Sequence, residues 1–257
     1  MDLDRERARR WRRVGRPVAS LEEAAGFVGD VGFALLFPAA GVELPSLFEA
    51  ASRRELANLG SEWGPDAERV WGWKDELPLR GLAWYGRFLR GRPSFLSPDL
   101  FRDLYPGSGQ PEGVLDLPLS CEARTIAEIL LTEGSTSTAE LRDFLAGDSR
   151  QARRRFDGAL RELGRNLLVT HFGTEESGSG WPAAVLELSV RVFPVPGRRP
   201  RPEARRLSAA ARFVETMGSA RPLELARAFN WPLREAADAM DAGRAGRQAK
   251  HRVRRSP

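Results

Sequence analysis

The chain has 257 residues, 42% of them hydrophobic and 29% charged, which suffices for a sizeable core in two or three modules and excludes an intrinsically disordered chain. Its net charge of +5 conceals an asymmetry: residues 1–16 carry +4 and residues 198–257 carry +9, which leaves −8 for the stretch between. One cysteine, Cys121, excludes an internal disulfide, and the longest apolar stretch, 31–42, is too short for a bilayer and is interrupted by Pro38, so a cytoplasmic protein with no membrane partner is expected.

The arginine-rich start has no apolar signal core behind it, and Asp2, Asp4 and Glu6 dilute the charge that a transit peptide would keep. Basic ends attract polyanions through counterion release, so nucleic acid is the natural partner. Arginine-rich composition by itself accounts for the choice of cation but not for its clustering at the two ends.

Ser20 and Glu23 form a capping-box pair ahead of Leu21, Ala24, Phe27, Val28 and Val31, the apolar face of an amphipathic helix. Ser46 and Glu49 repeat the device for a helix through Leu47, Ala50, Ala51 and Leu56. Residues 63–85 then hold Trp63, Trp71, Trp73, Trp84 and Tyr85, five of the nine Trp and Tyr residues. Aromatics at this density fill a core or offer a stacking surface to bases, for which Trp71, Trp73 and Trp84 are the candidates.

Lys74, within Trp71-Gly72-Trp73-Lys74-Asp75, is one of two lysines in a chain with thirty-eight arginines. A desolvated lysine can lose its proton and form a Schiff base, as arginine cannot, and Asp75 could stabilise a cationic sugar-like transition state. Lys74 and Asp75 are therefore the catalytic candidates, against the plainer reading that they form a salt bridge. Residues 82–89 and 94–96 predict a hairpin turning at 90–93, and Ser97-Pro98 starts another helix.

Residues 119–193 carry the sharpest pattern, that of a winged-helix module. A first helix follows Ser120, with Ala123, Ile126, Ala127, Leu130 and Leu131 on one face and Gly134 as its stop; burial is expected for Cys121 in its first turn. A second starts at Ser137, boxed by Glu140, with Leu141, Phe144 and Leu145 pointing inward and Gly147 closing it. The third opens at Asp148 or Ser149, buries Ala152, Phe156, Ala159, Leu160 and Leu163, and carries Arg150, Arg154, Arg161 and Arg165 on its other side, flanked by Arg153 and Arg155. In a helix-turn-helix the third element lies in the major groove, so Arg150, Arg153, Arg154, Arg161 and Arg165 are the expected contacts to double-stranded DNA. A short strand at 167–172 and an alternating one at 184–192 would enclose a wing at 173–180, whose charges, Glu175 and Glu176, repel phosphate.

Proline and arginine in 194–206 read as a semi-rigid linker. A second helix-turn-helix pattern follows, with helices at 207–217, 222–229 and 232–242 and a basic tail, 244–255, that could hold one wing strand. The expected organisation is thus 1–118, a helical and hairpin module; 119–193, the central winged helix; 194–206, the linker; and 207–257, a C-terminal helix-turn-helix module. The fold class is mainly α with small β-hairpins, in tandem winged-helix modules. His171 and His251 form no metal-ligand pattern by themselves, and there is no nucleophile elbow, phosphate loop or dinucleotide fingerprint, so neither metal nor cofactor is expected.

The strings Gly32-Phe33-Ala34-Leu35-Leu36-Phe37-Pro38, Leu44-Pro45-Ser46-Leu47-Phe48-Glu49-Ala50, Trp71-Gly72-Trp73-Lys74-Asp75 and Trp84-Tyr85-Gly86-Arg87 resemble those of the bacterial AlkZ-related proteins, over roughly residues 18–193. These are grouped with winged-helix DNA glycosylases that unhook crosslinks and excise alkylated bases. The resemblance implies tandem winged helices around a small β-barrel, and cleavage of a base-to-sugar bond. That family's catalytic motif is glutamine, an apolar residue, then glutamine or aspartate; Gln110, Gln151 and Gln248 do not sit in it, so no catalytic residue carries across. The expectation is a DNA-binding protein related to DNA repair. The alternatives are a glycosylase with a divergent site at Lys74 and Asp75, and a protein-interaction scaffold built of winged helices.

Overall fold

The computed structural model describes residues 2–52, 64–145, 149–176 and 182–253, of which 245–253 are described by their backbone alone. Trp63, Leu56, Gly147, Asp148 and most of the wing tip therefore lie outside the described residues. The molecule is mainly helical, with two three-stranded antiparallel sheets.

The first part begins with α1 (Leu3–Arg10) and α2 (Leu21–Val31). Helix α2 starts where its capping box predicts: Ser20 Oγ accepts from the Glu23 amide at 3.2 Å, and Glu23 accepts from the Ala19 amide at 2.8 Å. The apolar stretch that follows supplies β1 (Phe33–Leu35), and Ser46 caps α3 (Leu47–Ser52). The tryptophan-rich segment is a helix, α4 (Pro65–Leu79), which the sequence reading leaves unassigned. Pro65 suits its first turn, and Ala67, Val70, Trp73 and Leu77 recur at helical spacing on its buried face.

The expected hairpin is present as β2 (Trp84–Arg87) and β3 (Pro93–Leu96), and β3 is the centre of the first sheet, order β1-β3-β2. Gly86 is required here, because a Cβ would sit 2.6 Å from the Trp84 ring. Ser97 caps α5 (Pro98–Leu104).

In the central part the helices start at the serine caps that the sequence predicts. Helix α6 (Cys121–Glu133) runs from the Ser120 cap to Gly134; β4 (Thr136–Ser137) leads into α7 (Thr138–Leu145); and α8 (Arg150–Arg165) starts at the Ser149 cap. Strands β5 (Val169–Glu175) and β6 (Ala183–Leu188) complete the second sheet, order β4-β6-β5.

Four local expectations are corrected. Phe144 is 76% exposed rather than inward-pointing, and Cys121 is exposed rather than buried. The alternating run at 184–192 ends as a strand at Leu188, and Ser189–Val192 turns into the short helix α9, because Ser189 and Val190 are both needed in the core. Among the described residues the basic tail is helical and not a wing strand: α10 (Pro202–Met217) and α11 (Pro222–Phe229) are followed by α12 (Leu233–Val253), which takes up the tail as far as Val253.

One buried cluster runs through all these segments. Phe33 of the first sheet stacks on Phe213 of α10 at 5.4 Å and meets Phe229 of α11 edge-on at 5.8 Å. The proline-arginine stretch before α10 is docked: Val195 is buried, and the Arg199 guanidinium donates to the carbonyls of Arg102, Tyr105 and Gly107 at the end of α5. Burial, then the neighbouring Arg205, pulls that guanidinium down to about 10.

Candidate functional site

Strands β2 and β5 lie side by side, joined through Thr170, whose Oγ1 accepts from the Tyr85 amide at 3.3 Å and donates to the Tyr85 carbonyl at 3.2 Å. A second tie runs from Trp84 Nε1 to Ser189 Oγ at 2.9 Å. These bonds seat the first sheet against the central part, and α8 closes over the junction, with Gly164 above the Arg87 backbone. The junction encloses a cavity of about 600 Å³, whose walls include Trp71 of α4, Tyr85 and Arg87 of β2, Asp157 and Arg161 of α8, and His171 of β5.

Behind its His171 wall lies a charged cluster built across the two parts. The Asp75 carboxylate accepts from Lys74 Nζ at 2.5 Å and is hydrogen-bonded to His171 Nε2. Lys74 is 6% exposed, and its ammonium stands 4.5 Å from the centroid of the Trp71 ring, a cation–π contact. Burial acts to raise the Asp75 carboxyl, but the hydrogen bonds from His171 and Lys74 outweigh it and hold the group below the ordinary carboxylate range. Tyr85 meets the His171 ring edge-on at 5.7 Å, and its phenol is pushed upward by burial and then by the Asp75 charge, so it stays protonated.

The salt bridge expected as the plainer reading of Lys74 and Asp75 therefore exists, but with a third member. His171, dismissed in sequence for want of metal partners, is 96 residues from Asp75 and becomes its neighbour because α4 packs directly against β5. Of the three stacking candidates, Trp71 is 44% exposed at the cavity edge. Trp73 and Trp84 are 5% and 0% exposed and face the core, so neither offers a face to a base.

Arg150, Arg154, Arg161 and Arg165 lie on the exposed side of α8, opposite Phe156, Ala159 and Leu163, and Arg153 is exposed on the flank of that stripe. Arg155 is spent on Glu122 of α6 at 2.9 Å. Arg161 also lines a second cavity of about 580 Å³ on the other side of α8, together with Arg165, Asn166, Asn230 and Trp231. The basic N-terminus is a different case. Arg12, Arg13 and Arg16 pair with Asp30, Glu49 and Glu23 at 2.7–3.0 Å, while Arg7 pairs with Glu43 and caps α10 through the Met217 carbonyl. Much of that clustering ties segments together instead of facing a polyanion.

Among the described residues no group of three or more His, Cys, Asp or Glu side chains could hold a metal ion, and no helix is long and apolar enough to cross a membrane. A mainly helical chain with two small antiparallel sheets and a cleft at their junction is the class defined by this architecture. The chain belongs to the AlkZ-related family, whose model matches residues 18–229. Among solved structures, the DNA glycosylase AlkZ of Streptomyces sahachiroi is similar to it, with a TM-score of 0.49 and 17% identity over 89% of this chain. The chain spans 63% of the length of that protein. None of the curated proteins compared with the chain matches it.

Proposed function

We propose that the protein binds double-stranded DNA and acts in DNA repair, with residues 119–193 as a winged helix whose third helix, α8, faces the phosphate backbone. The order helix, short strand, helix, helix, strand, strand, with the sheet β4-β6-β5, supports that reading of the module. The observation that carries the function is the placement of Arg161: it is exposed on the arginine-bearing face of α8 and lines the cavities on both sides of that helix. A strand held by this face would pass directly beside the cleft that Trp71 and Tyr85 edge, where one nucleotide could stack.

The test replaces Arg150, Arg154 and Arg161 by alanine. Each lost phosphate contact should lower the slope of log affinity against log salt by about one, without change in circular dichroism. Unchanged duplex affinity in a folded variant would exclude α8 as the DNA-facing element and favour an interaction scaffold.

A second reading, a glycosylase with a divergent site, is favoured by one observation: an ionised carboxylate, Asp75, held between a lysine and a histidine directly behind the His171 wall of that cleft. A fixed negative charge near a sugar stabilises the cationic character that develops as its base departs.

A further inference from the structure

We propose that His171, oriented by Asp75, is the general base that activates water in the cleft between β2, β5 and α8. The inference rests on the glycosylase reading and gives it a catalytic residue and a direction of proton flow.

The geometry has four parts. Asp75 takes up Nε2 of His171, which in the neutral ring fixes the proton on that nitrogen and leaves the lone pair on Nδ1. Among the described residues nothing hydrogen-bonds Nδ1, and the ring itself is part of the cavity wall. Directly after His171 the β5–β6 register slips between His171 and Thr174, with Gly173 at φ +108°, a bulge that interrupts the ladder and re-aims the side chains around it. Lys74 is the third part of a line that runs Lys74–Asp75–His171–cavity; the hydrogen bonds from His171 and then from Lys74 favour the ionised carboxylate, which can stabilise the imidazolium formed on proton uptake. Such an arrangement on one edge of a cavity large enough for a nucleotide is more than a surface ion pair requires.

The step balances as follows. The bond between C1′ of the deoxyribose and the nitrogen of the base breaks, and its electron pair leaves with the base. Water oxygen forms the new bond to C1′, and its proton passes to Nδ1 of His171. A base that carries a positive charge departs neutral and needs no proton; the products are the free base and an abasic site. No oxidant, reductant or metal enters the balance. His171 touches the attacking water and is the catalytic residue, whereas Asp75 and Lys74 are positioning residues.

The probe is a duplex oligonucleotide with one N7-methylguanine, with base release followed in single turnover as alkali-labile breaks and affinity measured separately by gel shift. Wild type should release the base. His171→Ala should slow release by about 10²–10⁴-fold while holding affinity within about threefold, and added imidazole should restore part of the rate, since it fits the space vacated. Asp75→Asn should slow release with the same affinity and gain little from imidazole. If His171→Ala fails to fold, His171→Gln, which keeps the volume but has no basic nitrogen, should show the same loss. Release unchanged in either His171 variant would overturn the proposal. Wild type that binds the duplex but releases no base would overturn it too and leave the DNA-binding reading standing. Wild type that does not bind duplex at all would sink the DNA-binding reading itself.

Discussion

Trp71, Trp73 and Trp84 are the same residue type within fourteen positions, yet the structure gives them opposite work. Trp84 is fully buried and anchors the first sheet to Ser189 through its indole N–H, so Trp84→Ala should cost about 3–5 kcal/mol. Trp84→Phe would still leave the Ser189 hydroxyl unpaired, for roughly 1–3 kcal/mol. Trp71→Ala, which removes the cation–π contact to Lys74 and the stack on Phe37, should cost about 1–2 kcal/mol, less than Trp84→Ala, and weaken DNA binding as well. Urea midpoints beside gel shifts separate the two, and a Trp71 variant that unfolds as early as the Trp84 variant would show it to be a core residue. Asp75 sets a pH dependence. Its folded carboxyl is held below its ordinary value near 3.8, so its contribution is complete above that value and is lost as pH falls through the lower folded one. The stability gap between wild type and Asp75→Asn should therefore be at its full value above about pH 5 and shrink progressively as pH falls below about 3.8. A gap that persists unchanged into acid would show that the carboxylate is not the stabilising form.

The helix α8 is the element on which the proposed function turns. Its start depends on Ser149, whose Oγ accepts from the Ala152 amide at 3.0 Å, and its C-terminal half is tied to α6 by Glu162, which accepts from both the amide and the hydroxyl of Ser120 at 2.9 and 2.6 Å. Ser149→Ala should cost about 1 kcal/mol by thermal melt, since it leaves a first-turn amide unpaired. Glu162→Gln should loosen α8 from α6 and blunt duplex affinity without touching any of the arginines. Full affinity in that variant would mean that the position of α8 relative to α6 does not matter for binding. Sequence placed α6, α7 and α8 correctly because caps and apolar spacing are local signals, readable over one or two turns. It left α4 unassigned because Gly72, Pro78 and bulky aromatics depress helix propensity, and only packing of Val70, Trp73 and Leu77 against the core overrides that.

At the scale of the molecule, the C-terminal helices complete the core that the first sheet begins. Phe213 and Phe229 are 0% and 2% exposed and close on Phe33, while Trp11 reaches the Thr216 carbonyl through its indole N–H at 2.9 Å. A chain ending at residue 197 would expose those phenyl faces, so it should aggregate or melt far below the full chain instead of behaving as a DNA binder with a weaker electrostatic clamp. A soluble, cooperatively melting 1–197 fragment would refute this. The contribution of the +9 surplus is better tested by neutralising exposed arginines such as Arg227 and Arg234, which should weaken binding to all duplexes alike.

Much of this protein is determined by sequence-local physics. The capping residues Ser20, Ser97, Ser120, Ser137 and Ser149, the hairpin at Arg90, and the two-faced character of α8 all follow from interactions within a few residues, and the AlkZ-related strings identify the family. What only the tertiary structure decided is which of those surfaces meet. Lys74 and Asp75 are adjacent in sequence and read as a pair, but His171 joins them because α4 packs against β5, across a separation of 96 residues. Likewise the arginines at the N-terminus look free to hold a polyanion until folding brings Asp30, Glu43 and Glu49 to them. Charge and side-chain type are properties of the residue; whether a charge is spent on a neighbour or left at a cleft depends on contacts between distant segments, which no local periodicity encodes.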